Sequence, residues 1–520
     1  MNAARPLALA IDAGSGSCRA LIFDDTGELL GLAQREWAYH AVPDAPGGFD
    51  FDTDAGWESV QACIREVMAK AGIDPSNIVA VSASSMREGC VLYDDAGEVL
   101  WACPNIDARA GVEAEEMIGE GLAEAQYFRG GDWTSITAPA RLRWIQRHQP
   151  EVWERVKHLT MLGDWVVYRL AGVFSTDPSL GSSSNLFDLA TRDWSPDSAV
   201  EVGLHVAEIL PPVFESGTVI GGVTPEAAAA TGLRAGTPVV AGGGDTQLAL
   251  FAAGLTTGLR FATVGGTFWQ SAAVTNTPVI DPKIRLRTLA HVVPGTWMIE
   301  GVGFLHGFAS RWVRDGLLRA INPGISAEQG YEVLERMAAE VPAGSNGLAF
   351  LASNVMEGRR WRHGPPSLIG LDILQPDRTG LGAIFRAVEE SACYVARGHY
   401  EILEEVCGAA PDGIRFVGGP SRGALWPQIL ADVLGVPVEV PPILEATSLG
   451  AALCAFVGAG VFADLAEATA AAAREPRHFV PDGEAHAVYD EAYARWRGLT
   501  DHLLEGADMG MVSYLWRGAW

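Results

Sequence analysis

A chain of 520 residues, 48% of them hydrophobic and 19% charged, is too long for one core and too apolar to be disordered or fibrous, so two domains of about 250 residues each are expected. Its 37 Lys and Arg stand against 64 Asp and Glu, and the resulting net charge of -27 repels nucleic acid and anionic membrane. Any anionic ligand must therefore be held locally, by backbone N–H groups, a few arginines or a metal ion.

The chain begins "MNAARPLALAIDAGSGSCRALIFDDTGELL", whose first apolar run is too short for a signal peptide and ends at Asp12. Residues 7–11 read as a buried strand, a Gly/Ser turn follows, "RALIFD" returns as a second strand, and Asp25-Thr26-Gly27 turns into a third. An Asp at a strand end, followed by residues small enough to let backbone N–H groups point inward, is one way to hold phosphate oxygens together with their Mg2+. The Walker A lysine is missing, and a plain tight hairpin is the better account of this stretch taken alone. "FDTDAGWESVQACIREVMAKAGI" places Trp57, Val60, Ile64 and Val67 at helical spacing behind an Asp or Thr cap, which predicts an amphipathic helix.

"NIVAVSASSM" then reads as a buried strand that delivers Arg87 and Glu88 at its end. Where a strand gives out, both side chains can turn into a cleft, donating to and accepting from the hydroxyls of a sugar or polyol. The plainer alternative is a structural ion pair. "VLYDDAGEVLWAC" is a hairpin, residues 110–170 are mostly helical, including "APARLRWIQRHQPEVWERV" and "TMLGDWVVYRLAG", and 175–200 are turn-rich.

"GTPVVAGGGDTQLALFAAGL" predicts a strand, three glycines at 242–244, and a helix entered through Asp245. As a helix cap Asp245 contributes on the order of 1 kcal/mol. As a carboxylate that accepts the proton of an attacking hydroxyl it is worth roughly 10²- to 10⁴-fold in rate, with the glycines letting substrate approach the backbone.

The second half restarts with "LRFATVGGTFWQSAAV", an echo of the N-terminal hairpin that suggests two related α/β domains, 1–250 and 251–520. "GLGAIFRAVEESACYVARGHYEILEEV" is a long helix, "GIRFVGGPSRG" a strand and glycine turn, and "ALWPQILADVLG" a further helix. Three glycine-rich strand ends spread over both halves suggest a nucleotide gripped between domains. "SLGAALCAFVGAGVFA" (448–463) is too short and glycine-rich to span a bilayer. Seven scattered cysteines, none in a CxxC pair, point to buried thiols in a reducing cytoplasm, without zinc or disulfides.

Taken together, "AIDAGSGSCRALIFD", "SMREG", "GGGDTQ", "GGTFW" and "VGGPSRGALWPQILADVLGVPV" with "EATSLGAALCA" resemble the FGGY carbohydrate kinases, in this order and over nearly the whole chain. The resemblance implies two ribonuclease-H-like domains of the actin and hexokinase superfamily around a catalytic cleft, with ATP and Mg2+. It implies that Asp12 faces Mg2+ and phosphates, with Ser15, Gly16, Ser17 and Arg19 around the γ-phosphate. Arg87 and Glu88 match the family's substrate-hydroxyl pair, with Gln247 a further candidate, and Asp245 matches its catalytic base. Gly265, Gly266 and Thr267 match a second phosphate loop, Gly307 and Arg311 fall near the nucleotide, and Gly418, Gly419 and Gly423 match the adenosine loop.

Two departures stand out: Thr246 follows Asp245 where glycerol kinases have Gln, and Gly423 stands where many relatives have Asn. "WACPNIDARA", "VGGTFWQ", "HVVPG" and the tail "SYLWRGAW" are similar to the subgroup that acts on autoinducer-2, the quorum-sensing molecule derived from 4,5-dihydroxy-2,3-pentanedione. The expected partners are thus a small hydroxy-ketone and ATP, with no nucleic acid or membrane and a homodimer left open. A kinase for a ketopentose or other sugar or polyol is the alternative acceptor reading. A chaperone- or actin-like ATPase would have no use for Arg87 and Glu88 beside Asp245, and a silent sugar sensor none for both Asp12 and Asp245.

Overall fold

The computed structural model describes residues 5–197 and 206–518. Every residue of the Leu7–Ala13 strand is buried, with Leu9 and Ile11 in one core and Ala8 and Ala10 in another. A strand covered on both faces belongs in the middle of a sheet flanked by helices. That sheet runs Val219–Gly222, Pro238–Gly244, Ile78–Ser85, Leu7–Ala13, Ser17–Asp24, Leu29–Glu36. Pro238–Gly244, Ile78–Ser85 and Leu7–Ala13 are parallel, and the remaining pairings antiparallel.

On one face lies the Thr53–Ala71 helix, started by the Asp52 carboxylate and stopped by Gly72 in the left-handed conformation. Its Trp57, Val60, Ile64 and Val67 pack on Leu9 and Ile11. The other face is covered from the far end of the chain: Leu449, Ala452, Leu453 and Phe456 of the Ala446–Gly458 helix meet Ala8, Ala10 and Ala80. The small alanines let that helix sit close to the sheet. It also crosses the Asp245–Ala252 helix so tightly that a Cβ on Gly450 would lie 2.3 Å from the Leu248 carbonyl oxygen. The second half thus supplies part of the first half's core.

The second sheet runs Arg287–Ala290, Trp297–Gly303, Trp269–Thr275, Arg260–Gly265, Ile414–Gly418, Val438–Val440, Arg477–Phe479. Arg260–Gly265, Ile414–Gly418 and Val438–Val440 are parallel. Each sheet thus has three antiparallel strands in a row, with two later strands added parallel beside the first of them; the second half differs by the outer strand Arg287–Ala290, inserted in the chain before Trp297–Gly303, and otherwise repeats the topology of the first. This is a two-domain α/β architecture, as the sequence predicts, with helices on the faces of two mixed sheets.

Local differences from the sequence reading have simple causes. In "TMLGDWVVYRLAG" Thr160 and Met161 end a strand, His158–Met161, and the helix starts at Leu162, where Asp164 accepts from the Met161 N–H. The turn-rich stretch contains a buried helix, Pro178–Ser183, started by Asp177; residues 198–200 of it lie outside the described residues, as do Ala519 and Trp520 of the tail. Before them, Trp516–Arg517 pairs with Arg362–His363, and Trp516 packs against Phe304 and Trp361. All seven thiols are free and six are buried. No helix among the described residues is long and apolar enough to cross a membrane.

Candidate active site

The register of the first sheet brings distant residues together. Asp12 lies opposite Ser84, Gly243 also opposite Ser84, and Ala13 and Gly244 opposite Ser85, so three parallel strands end at one level. The carboxyl ends of parallel strands are where open α/β sheets bind ligands. Here they present Asp12, Arg87 with Glu88, and Asp245.

The glycines before Asp245 serve packing. A Cβ on Gly242 would lie 1.9 Å from the Ala83 carbonyl oxygen, one on Gly243 2.6 Å from Val292, and one on Gly244 2.7 Å from the Gln247 amide oxygen. The space that substrate was expected to use beside these glycines is therefore filled by protein. Asp245 does not cap its helix: Gly244 holds the cap position with no side-chain bond, and Asp245 is the first helical residue. Its Oδ1 accepts from the Thr246 N–H at 2.6 Å and from the Thr246 hydroxyl at 3.2 Å, and Arg87 Nε stands 3.6 Å away. The carboxylate is set deep between the halves while 37% of the side chain stays open. Desolvation pushes its pKa up to about 6, the Asp12 and Glu88 charges add to the rise, and Arg87 opposes it. A carboxylate poised near neutrality at a cleft is suited to taking a proton from a hydroxyl.

Arg87 and Glu88 do turn into the same region, but as members of a larger buried network. Arg87 Nη1 donates to Glu300 Oε1 at 2.5 Å, and Arg287 Nε donates to the same oxygen at 2.7 Å. Arg287 Nη1 also reaches Glu88 Oε1 at 2.7 Å and Asp132 Oδ2 at 3.4 Å. Glu88 adopts a left-handed backbone, φ 64°, which costs a non-glycine residue of order 1 kcal/mol and turns its side chain back towards Arg287. Burial pushes the Asp132 carboxyl up to about 6, while Arg87 and Arg287 hold the buried Glu300 below the usual carboxylate range. Sequence reasoning missed Arg287, Glu300 and Asp132. The available signal was Glu300, a lone carboxylate inside "WMIEGVG", a strand whose every residue is buried.

Around Asp12 the groups alternate in charge. Asp12 Oδ2 accepts from Arg19, its Oδ1 from the Ser84 hydroxyl at 3.0 Å, and Arg19 Nη1 continues to Glu445 Oε2 at 2.6 Å. Arg422 bonds the other Glu445 oxygen at 3.2 Å, so this chain of charges joins the two halves. The Ser15–Ser17 turn is braced from outside: Asn105 donates to the Ser15 hydroxyl, Tyr39 to the Ser15 carbonyl, Trp37 N–H to the Gly16 carbonyl and Gln34 to the Ser17 hydroxyl. A Cβ on Gly16 would meet nothing within 4 Å, so the turn faces open space.

In the second half Gly265 pairs with Gly418, whose φ is +101° and where a Cβ would lie 2.0 Å from the Gly265 carbonyl oxygen. A Cβ on Gly307 would lie 2.7 Å from the Gly266 carbonyl oxygen and 2.9 Å from Thr267 Cα, so Gly265, Gly266, Thr267, Gly307 and Gly418 form one close-packed set. Gly419 borders open space, whereas Gly423 packs against Glu335, whose Oε1 accepts from the Ala424 and Leu425 N–H groups at 2.8 and 3.0 Å. The Glu335 carboxylate thus fills the space that a side chain at position 423 would take. One predicted residue is turned away from solvent: Gln247 is fully buried behind Gly244 and donates to the Ala290 carbonyl at 3.4 Å. Arg311 lies exposed on the same helix as Gly307, with its guanidinium over the Phe308 ring at 5.3 Å.

The FGGY family of carbohydrate kinases matches in two parts, its N-terminal domain over residues 7–252 and its C-terminal domain over 262–459. The autoinducer-2 kinase of Escherichia coli (strain K12) is 40% identical over 517 residues, 98% of this chain and 97% of the relative. That of Salmonella paratyphi A (strain ATCC 9150 / SARB42) is also 40% identical over the same shares. Among solved structures, the xylulose kinase from Rhodospirillum rubrum is 28% identical with TM-score 0.79, covering 96% of this chain and 99% of that one. The Plasmodium falciparum glycerol kinase with ADP, 17% identical with TM-score 0.81 over 95% and 98%, shares the fold.

Proposed function

Because this chain belongs to the FGGY family of carbohydrate kinases, we propose that it transfers the γ-phosphoryl group of ATP to the primary hydroxyl of autoinducer-2, as 4,5-dihydroxy-2,3-pentanedione. The observation that carries the mechanism is the juxtaposition of Asp245, with its pKa near 6, with Asp12 and the Arg87–Glu88 turn at the ends of three parallel strands. Asp245 accepts the proton of the hydroxyl as its oxygen bonds the γ-phosphorus, the bond to the bridging oxygen breaks, and ADP leaves. Arg87 and Glu88 orient the acceptor. The Ser15–Ser17 turn and Arg19 face the γ-phosphate, and the glycine set of Gly265–Thr267, Gly307 and Gly418–Gly419 borders the rest of the nucleotide.

A bound Mg2+ would supply charge neutralisation on the transferring group. Among the described residues no group of three or more His, Cys, Asp or Glu is placed to cage a metal. Asp12 and Asp245 are two carboxylates close enough for Asp12 to raise the pKa of Asp245. That donor set fits a magnesium ion held mainly by phosphate oxygens and water, with Asp12 as the protein contact.

The 40% identity to autoinducer-2 kinases favours the dihydroxypentanedione, and the 28% likeness to a xylulose kinase keeps a ketopentose as the second acceptor to test. ADP release measured across a panel of both decides. Acceptor-dependent turnover is expected with dihydroxypentanedione. Strong turnover of a ketopentose with none of the dione would replace the acceptor, and ATP hydrolysis indifferent to every acceptor would remove the kinase assignment.

A further inference from the structure

Four carboxylates, Glu88, Asp132, Asp245 and Glu300, surround two guanidinium groups, Arg87 and Arg287, at the floor of the cleft. Carboxylates accept hydrogen bonds and suit hydroxyl groups, which can donate. A ketone oxygen only accepts, so in this setting it can be held only by N–H donors. Arg87 alone suffices for one carbonyl. Arg287 comes from the other half of the molecule, yet its Nε and Arg87 Nη1 meet on a single oxygen, Glu300 Oε1, which sets the two planar groups side by side. Side chains of Arg87 and Arg287 keep 4% and 6% of their surface open, and the second Glu300 oxygen has no protein partner. Glu300 therefore aims both arginines and leaves one acceptor for a hydroxyl.

We infer that Arg287 is a specificity-determining residue of the acceptor site, its guanidinium standing beside that of Arg87 to hold the two adjacent carbonyl oxygens of an α-dicarbonyl acceptor. This deepens the proposed function and rests on its acceptor. Glu300 takes the Nε of Arg287, and Glu88 and Asp132 both take its Nη1, which leaves the Nη2 donors for the acceptor. A lysine at this position keeps the charge but not the planar, multi-donor edge.

The test compares two acceptors with the same terminal diol, 4,5-dihydroxy-2,3-pentanedione and pentane-1,2-diol, in the full-length protein with ATP and Mg2+. Sites built around hydrogen bonds to a substrate reject analogues lacking them by large factors, so the wild type is expected to prefer the dione by about 100-fold or more in kcat/KM. Arg287→Lys should raise the KM for the dione about tenfold or more and that for the diol far less, collapsing the preference. Asp132→Asn, which preserves shape and leaves Arg287 in place, should reduce the preference in the same direction by a few-fold, and it carries the test if Arg287→Lys does not fold. A preference unchanged in the folded variants, or a KM that rises equally for both acceptors, would mark Arg287 as a structural tie and overturn the inference. A wild type that ignores the dione overturns the proposed acceptor as well, and that result is read before any variant is made.

Discussion

Asp245 carries two opposed consequences of the same environment. Its carboxyl is raised from 3.8 to about 6 by desolvation. Between those values the folded protein holds a proton that the unfolded chain has lost, so the residue costs stability increasingly as pH rises through this window and fully above about pH 6. As a proton acceptor it works only when ionised, so kcat/KM for the acceptor should climb through pH 6 to a plateau. Asp245→Asn should lower kcat by roughly 10²- to 10⁴-fold while leaving the KM for ATP nearly unchanged. The same variant should melt at higher temperature than the wild type at pH 8, with the gain shrinking towards pH 4. An Asn variant with near-normal turnover would refute the role of Asp245, and one no more stable at pH 8 would refute the raised pKa.

At the scale of elements, the position of Asp245 depends on a contact made far from any substrate. The Asp245–Ala252 helix is held by the Ala446–Gly458 helix, where Gly450 touches the Leu248 carbonyl and the Thr447 hydroxyl donates to the Asp245 carbonyl at 3.1 Å. Neither helix backbone can yield locally, because both are buried between the two sheets. Gly450→Ala should therefore destabilise the protein by about 1–3 kcal/mol, the usual cost of overpacking, seen as a lower melting temperature. It should also lower kcat by moving the helix that begins with Asp245. Gly119→Ala, at a helix end where a Cβ meets nothing within 4 Å, is the matched control and should be neutral. Equal melting of the two variants would show that the helix crossing has slack.

Over the whole molecule, a net charge of -27 opposes the approach of ATP, and the local groups must overcome it. Arg19 is shared between Asp12 and, from the other half, Glu445, which Arg422 of its own half also holds. In the proposed function Arg19 faces the γ-phosphate, so nucleotide phosphate would compete with Glu445 for it. Two charges 4 Å apart interact by between about 1 and about 4 kcal/mol depending on screening. Glu445→Gln should accordingly lower the KM for ATP by about threefold or more, with an effect that shrinks at high salt. If the KM rises instead, Glu445 acts mainly by holding the halves together, and the competition for Arg19 is absent.

The sequence alone determined the family-type fold, the repeated strand and glycine-turn pattern of its halves, and the three stretches that bear Asp12, Arg87–Glu88 and Asp245. Those features are local: a strand followed by a small-residue turn is written in consecutive residues. It could not show Arg287, Glu300 or Asp132 joining Arg87 and Glu88, because ion pairs between residues some 200 positions apart leave no local pattern. Nor could it show that Gln247 faces the interior while Thr246 holds the Asp245 carboxylate, since one residue's rotation on a helix decides which side chain reaches the cleft. Tertiary structure alone decided the purpose of Gly242–Gly244, whose missing side chains leave room for the neighbouring strand, for Val292 and for Gln247. It also assigned the Ala446–Gly458 helix to the core of the opposite half, because burial of an apolar face is settled by whichever surface lies nearest in space and not by order along the chain.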